Sequence, residues 1–152
     1  MILRTIFLLA LNFAALAVGG LFTSSGVKSE WYSLLKKAPW TPPGWVFGFA
    51  WTLIMICFAF YISALWETTQ EKKTVILLFT IQWVLNVCWN PLFFKFHQVN
   101  IAFLVITLLT ILIGFMQFNY MKELQGKSLL ISPYFLWLII ATSLNAYVSI
   151  KN

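Results

Sequence analysis

Charge is what this sequence has least of. Only 9% of its 152 residues are Asp, Glu, Lys or Arg, while 61% are apolar. A soluble domain of this size carries about 25% charged residues to cover its surface. That deficit, with a mean hydropathy of +0.87, argues for an integral membrane protein. Acidic residues are scarcest: Glu30, Glu67, Glu71 and Glu123 are the four, and all fall in loops or at the ends of apolar runs. No Asp, Glu, Lys, Arg or His lies well inside a run. Proton- and ion-coupled transporters usually carry an ionisable residue at membrane depth, so this absence weighs against a pump or antiporter. Cysteine is nearly absent too. Cys57 and Cys88 both sit in apolar runs and read as small buried apolar residues, not as a disulfide framework or metal site. The single histidine, His97, stands beside Lys95 in a short connection and reads as solvated or interfacial, not as a haem ligand. There is no GxSxG elbow, no phosphate-cradling glycine loop and no HExxH. No catalytic set, metal or cofactor is therefore expected. The net charge of +6 comes from basic residues scattered singly or in pairs between apolar blocks. That pattern suits flanks of membrane spans and excludes a nucleic-acid patch.

What the chain has in abundance is long apolar segments. Five can be drawn, at about 2–22, 44–66, 74–94, 100–121 and 129–150. Each holds about 20 residues or more, enough at a rise of about 1.5 Å per residue to cross a hydrocarbon core of roughly 30 Å. Backbone groups in lipid must bond internally, and the alternation of a β-barrel is missing, so the segments are expected to be helices. The expected fold is an all-α bundle of five transmembrane helices in a single domain over 1–152. Arg4, the run after it and the Ala15–Leu16–Ala17 triplet imitate a secretory signal, but the run continues to Phe22, which favours a retained helix. Three connections are short. The fourth, 23–43, is long and carries Trp31, Tyr32, Leu34, Leu35 and Trp40. A loop that apolar is expected to be partly structured and to pack on the mouth of the bundle. Five spans put the termini on opposite sides, and the basic residues divide evenly between the two, so the positive-inside rule does not choose an orientation.

The candidate site comes from neutral polar and aromatic stripes. Gln82, Asn86 and Asn90 recur at i, i+4 and i+8 with Trp89 and Phe93 beside them, and Tyr134, Trp137, Ala141 and Asn145 run along the fifth span. Amides are costly facing lipid, so these faces are expected to look inward. Thr107, Thr110, Gly114 and Gln117 form a third stripe, read as interhelical packing. Counting from the span ends places Trp51, Asn86, Trp89, Asn90, Ala141 and Asn145 in the half-membrane beneath the long loop, with Trp137 nearer the middle. A cavity walled by Trp and Phe with a few amides suits a large, flat, mostly apolar ligand. The loop would be its lid. Pro42 and Pro43 would end the lid and start the second span at a fixed angle.

Three blocks, "WYSLLKKAPWTPPGWVFGFAW" at 31–51, "LNVCWNPLFF" at 85–94 and "PYFLWLIIATSLNAY" at 133–147, resemble the translocator protein/tryptophan-rich sensory protein (TspO/MBR) family. The resemblance covers nearly the whole chain. It departs at Pro39, directly before Trp40, at Phe49, where many members have proline, and at Asn90, where some do. It implies a multi-pass protein of the bacterial cell membrane, a five-helix bundle in the bilayer and often a homodimer. It implies binding of porphyrins such as protoporphyrin IX, and in some members sterols or synthetic aromatic ligands, in a pocket closed by the first loop. Residue by residue, it places Tyr32, Trp51, Asn86, Trp89, Asn90, Trp137, Ala141 and Leu144 in that pocket; Pro42, Pro43 and Tyr134 are expected to bind the ligand with them. Two alternatives stay open. One is light- and oxygen-dependent porphyrin breakdown, with Trp51 and Trp137 as electron donors. The other is small-molecule transport.

Overall fold

The computed structural model describes all of residues 1–152. Five helices are long and apolar enough to span a membrane. They are α1 (Ile2–Gly26), α3 (Gly44–Thr68), α4 (Lys72–Phe94), α5 (Val99–Asn119) and α7 (Ser132–Lys151). Between α1 and α3 lies the short α2 (Glu30–Leu34), capped by Ser29, whose hydroxyl accepts from the Tyr32 N–H at 3.2 Å. Between α5 and α7 lie α6 (Met121–Leu124) and a 3-10 segment (Gln125–Ile131). The fifth apolar run therefore enters its α-helix at Ser132 and not at 129. Leu129–Ile131 are apolar enough to read as span, but Pro133, favoured in a first helical turn, marks the start of α7. At the second span the helix begins at Gly44, just after the proline pair. Pro43 is the extended cap residue, and its carbonyl accepts the Val46 N–H at 3.0 Å.

The spanning helices close into a ring in the order α1, α3, α7, α5, α4 and back to α1. Hydropathy alone does not choose which face of such helices turns inward, because lipid is as apolar as a core of leucine. Interhelical hydrogen bonds do. Thr5 donates to Ser63 at 2.9 Å, Asn12 Nδ2 to the Met55 carbonyl at 3.0 Å, and Trp83 Nε1 to the Leu11 carbonyl at 2.9 Å, tying α1 to α3 and α4. Tyr61 donates to the Met116 carbonyl at 2.9 Å and joins α3 to α5. The α5 stripe is packing, as expected: Thr110 pairs with Thr142 at 2.8 Å, and Gln117 accepts from Ser132 at 3.1 Å. Phe58, Tyr61, Leu65 and Ile113 are fully enclosed, while Phe7, Leu21, Ile76, Ile111 and Phe118 face outward. Cys88 is on that outward side of α4 and Cys57 is half-buried, against the expectation that both cysteines are buried.

Near the end of α1 the helices approach closely. A Cβ on Gly26 would come within 2.6 Å of the Phe94 Cβ, whereas one on Gly20 would meet nothing within 4 Å. Gly26→Ala is therefore expected to cost about 1–3 kcal/mol through overpacking, and Gly20→Ala to cost nothing. Thermal unfolding in detergent compares the two.

Candidate functional site

The ring encloses a cavity of about 70 Å³ where it meets the loop 27–43. Each wall comes from one helical face. Phe47 and Trp51 are one turn apart on α3, and Trp89 and Phe93, with Phe94, are likewise placed on α4. On α7, Trp137, Ala141, Leu144, Asn145 and Val148 follow the same spacing, and Ile106 reaches in from α5. The loop supplies Tyr32, Lys37, Ala38 and Thr41 as a lid. The aromatic walls brace one another: Phe47 meets Trp137 edge-on at 5.3 Å, and Trp89 stacks with Phe93 at 5.7 Å.

Polar groups are few and mostly spoken for. Trp89 Nε1 donates to Asn145 Oδ1 at 3.2 Å, bridging α4 and α7, and Asn145 Nδ2 returns to the Ala141 carbonyl at 3.0 Å. Among the fully buried polar atoms of the lining, Trp137 Nε1 alone is an N–H with no partner. The only charged lining residue is Lys37, whose ammonium lies 4.5 Å from the centre of the Tyr32 ring. Burial pushes the Tyr32 phenol above its ordinary pKa, so it stays a neutral hydroxyl beneath that cation. The cavity is thus an apolar, aromatic slot with one cation at its lid. It can hold an apolar ring system that carries an acceptor or an acidic edge. No His, Cys, Asp or Glu lines it.

Of the residues singled out in the sequence, Tyr32, Trp51, Trp89, Phe93, Trp137, Ala141, Leu144 and Asn145 line this cavity together. Asn86, Asn90, Tyr134, Pro42 and Pro43 are not among the lining residues. Tyr134 is buried beneath it, edge-on to Trp51 at 5.9 Å and accepting from Gln82 Nε2 at 2.7 Å. Asn90 turns to α1, where it accepts from Thr23 at 2.8 Å and fills the space left by Gly19. The reason is helical drift. At 3.6 residues per turn, an i, i+8 pair is displaced by about 80°, so Gln82 faces α7 while Asn90 faces α1. Asn86 is buried between these two directions. The prolines set the entry to α3. Sequence reasoning missed Lys37, Ala38, Thr41, Phe47, Phe94, Ile106 and Val148. Two of these carried a signal: Phe47 lies four residues before Trp51, and Val148 four after Leu144. Lys37 carried none, because nothing local aims a loop lysine.

A ring of five apolar helices around a lidded aromatic cavity defines a multi-pass integral membrane protein with a candidate small-molecule site. The chain belongs to the TspO/MBR family, which it matches over residues 7–150. It is 33% identical over 149 residues to the tryptophan-rich protein TspO of Archaeoglobus fulgidus, covering 95% of this chain and 91% of that protein. It is 29% identical over 143 residues to protein CrtK of Rhodobacter capsulatus, covering 91% and 88%. It is 30% identical over 120 residues to the human translocator protein, covering 76% and 71%.

The placement of Asn90 has a measurable consequence. Thr23→Val removes its donor from α1 and is expected to cost about 1 kcal/mol of stability, without shifting tryptophan emission, since no cavity residue loses a partner. Thermal unfolding and an emission scan check the two halves.

Proposed function

We propose that this protein binds porphyrins, of which protoporphyrin IX is the probe of choice, and related large, flat, mostly apolar ligands in the cavity beneath the lid. The observation that carries the reading is Trp137, which lines the cavity and whose indole N–H is buried without a partner. An unpaired buried donor is costly, and a ligand acceptor would relieve that cost. Lys37 adds a cation where the acidic edge of such a ligand would lie, and Trp51, Trp89 and Phe93 offer flat faces for the macrocycle. At about 70 Å³ the cavity is far below the roughly 300–1,000 Å³ of an occupied small-molecule site. Binding therefore includes displacement of the lid, which is the one wall not built on a spanning helix. The role that follows is tetrapyrrole capture at the membrane, as a receptor or carrier. Homodimeric assembly belongs to the same reading.

Titration of the purified protein with protoporphyrin IX, followed by tryptophan quenching, tests it. Saturable binding is expected, weakened roughly tenfold by Trp137→Phe and further by adding Trp51→Phe. The dimethyl ester, which lacks the acidic edge, is expected to bind less tightly than the free acid, with the difference lost in Lys37→Gln. An affinity untouched by Trp51→Phe with Trp137→Phe sinks the assignment of the cavity.

A further inference from the structure

We infer that Asn152 and Ser143, at the outer side of α7, are positioning residues for the cavity: they latch residues 36–40 of the lid to α7 and so set the rate of ligand exchange. The inference rests on the binding reading above, and its test has one arm that does not.

The lid is held in three places by three kinds of contact. At its α2 end the contacts are aromatic. Trp31 stacks on His97 at 3.9 Å and meets Phe93 edge-on at 5.6 Å, while Tyr32 lies 5.7 Å from Phe94. At its far end the chain passes through Pro42 and Pro43 into α3, a covalent connection with restricted backbone. Between these ends, residues 36–41 form no helix or strand. Every hydrogen bond this segment makes beyond the lid goes to α7 or to Asn152, the residue that ends it. The Lys36 N–H donates to Asn152 Oδ1 at 2.9 Å, and Asn152 Nδ2 donates back to the Lys36 carbonyl at 3.2 Å. Trp40 Nε1 donates to Ser143 Oγ at 3.0 Å, and the Trp40 ring sits edge-on to Tyr147 at 5.5 Å.

The Asn152 contact is specific in its chemistry. A primary amide can accept from a backbone N–H and donate to the carbonyl of the same residue, as a neighbouring strand does; a carboxylate can only accept. Asn152 Nδ2 also donates to the Val148 carbonyl at 3.0 Å, which fixes the amide to the end of α7. These bonds are exposed and compete with water, so they close the segment reversibly. On the same segment Ala38 is buried and lines the cavity together with Lys37 and Thr41. Peeling 36–40 from α7 therefore uncovers the cavity while the aromatic anchor on α4 stays seated. The opening is on the α7 side, between the latch and the proline pair.

Stopped-flow binding and release of protoporphyrin IX, comparing the wild type with Asn152→Ala, Ser143→Ala and the double variant, reads the latch directly. Entry and release are expected to quicken together, by roughly tenfold in the double variant, with little change in Kd. Asn152→Asp should behave like Asn152→Ala, because it cannot donate to the Lys36 carbonyl. The second arm needs no ligand. In a Cys57→Ala, Cys88→Ala background, a Thr41→Cys thiol inside the cavity is expected to react with a maleimide faster when Asn152→Ala is added. Unchanged exchange rates, an unchanged labelling rate, or faster release with unaltered entry would overturn the latch. Absence of porphyrin binding in the wild type would overturn the binding reading instead, and the labelling arm would still decide the latch.

Discussion

Inside a bilayer there is no water to satisfy a polar group, and the structure follows from how this chain meets that condition. Its spans carry Asn12, Gln82, Asn86, Asn90, Thr110, Gln117 and Asn145, and most of these find partners on another helix. Apolar surface cannot fix how each helix is rotated, since lipid accepts it as readily as a neighbouring helix does. The amides, hydroxyls and indole N–H groups can, because each must find a partner or bear the cost of being unpaired. The order of the ring and the rotation of its members are set largely by these pairs.

The cavity is a consequence of the same arrangement. With α5 seated between α4 and α7, those two helices are linked by long side chains instead of close backbone packing. Gln82 reaches Tyr134 at depth, and Trp89 reaches Asn145 nearer the lid. The first pair forms a floor and the second a wall. The space between is filled by aromatic faces, and one donor, Trp137 Nε1, is left over. A fully paired core would have no reason to admit a ligand. The unpaired group belongs to a residue that lines the cavity.

The lid divides by chemistry. Its α2 end is held by ring contacts that gain from burial, and its middle by hydrogen bonds that water can replace. Such a strap is expected to move at its polar part first. The backbone is constrained at both ends of the lid: Gly26 lies close against Phe94 beneath the lid anchor, and Pro42 and Pro43 restrict the entry to α3.

The number of the spanning helices was legible in the sequence, and their ends to within a few residues, because about 20 apolar residues can do little else in a membrane, and Gly, Pro and Lys punctuate the runs. The partly structured loop was legible from its tryptophans, and Trp51, Trp89, Phe93, Trp137, Ala141 and Asn145 of the cavity from their spacing and depth on α3, α4 and α7. The family was legible from three short blocks. What only the tertiary structure decided was direction. It turned Asn90 to α1 and Tyr134 beneath the cavity, aimed Lys37 inward, and brought Lys36 to Asn152 across 116 positions of sequence. Helices that are apolar all round carry no strong amphipathic signal to mark their inner face. A drift of about 40° with each i, i+4 step is enough to move a side chain from one neighbour to the next. Those choices depend on the tilt and rotation of helices far apart in the chain, which no local pattern of residues records.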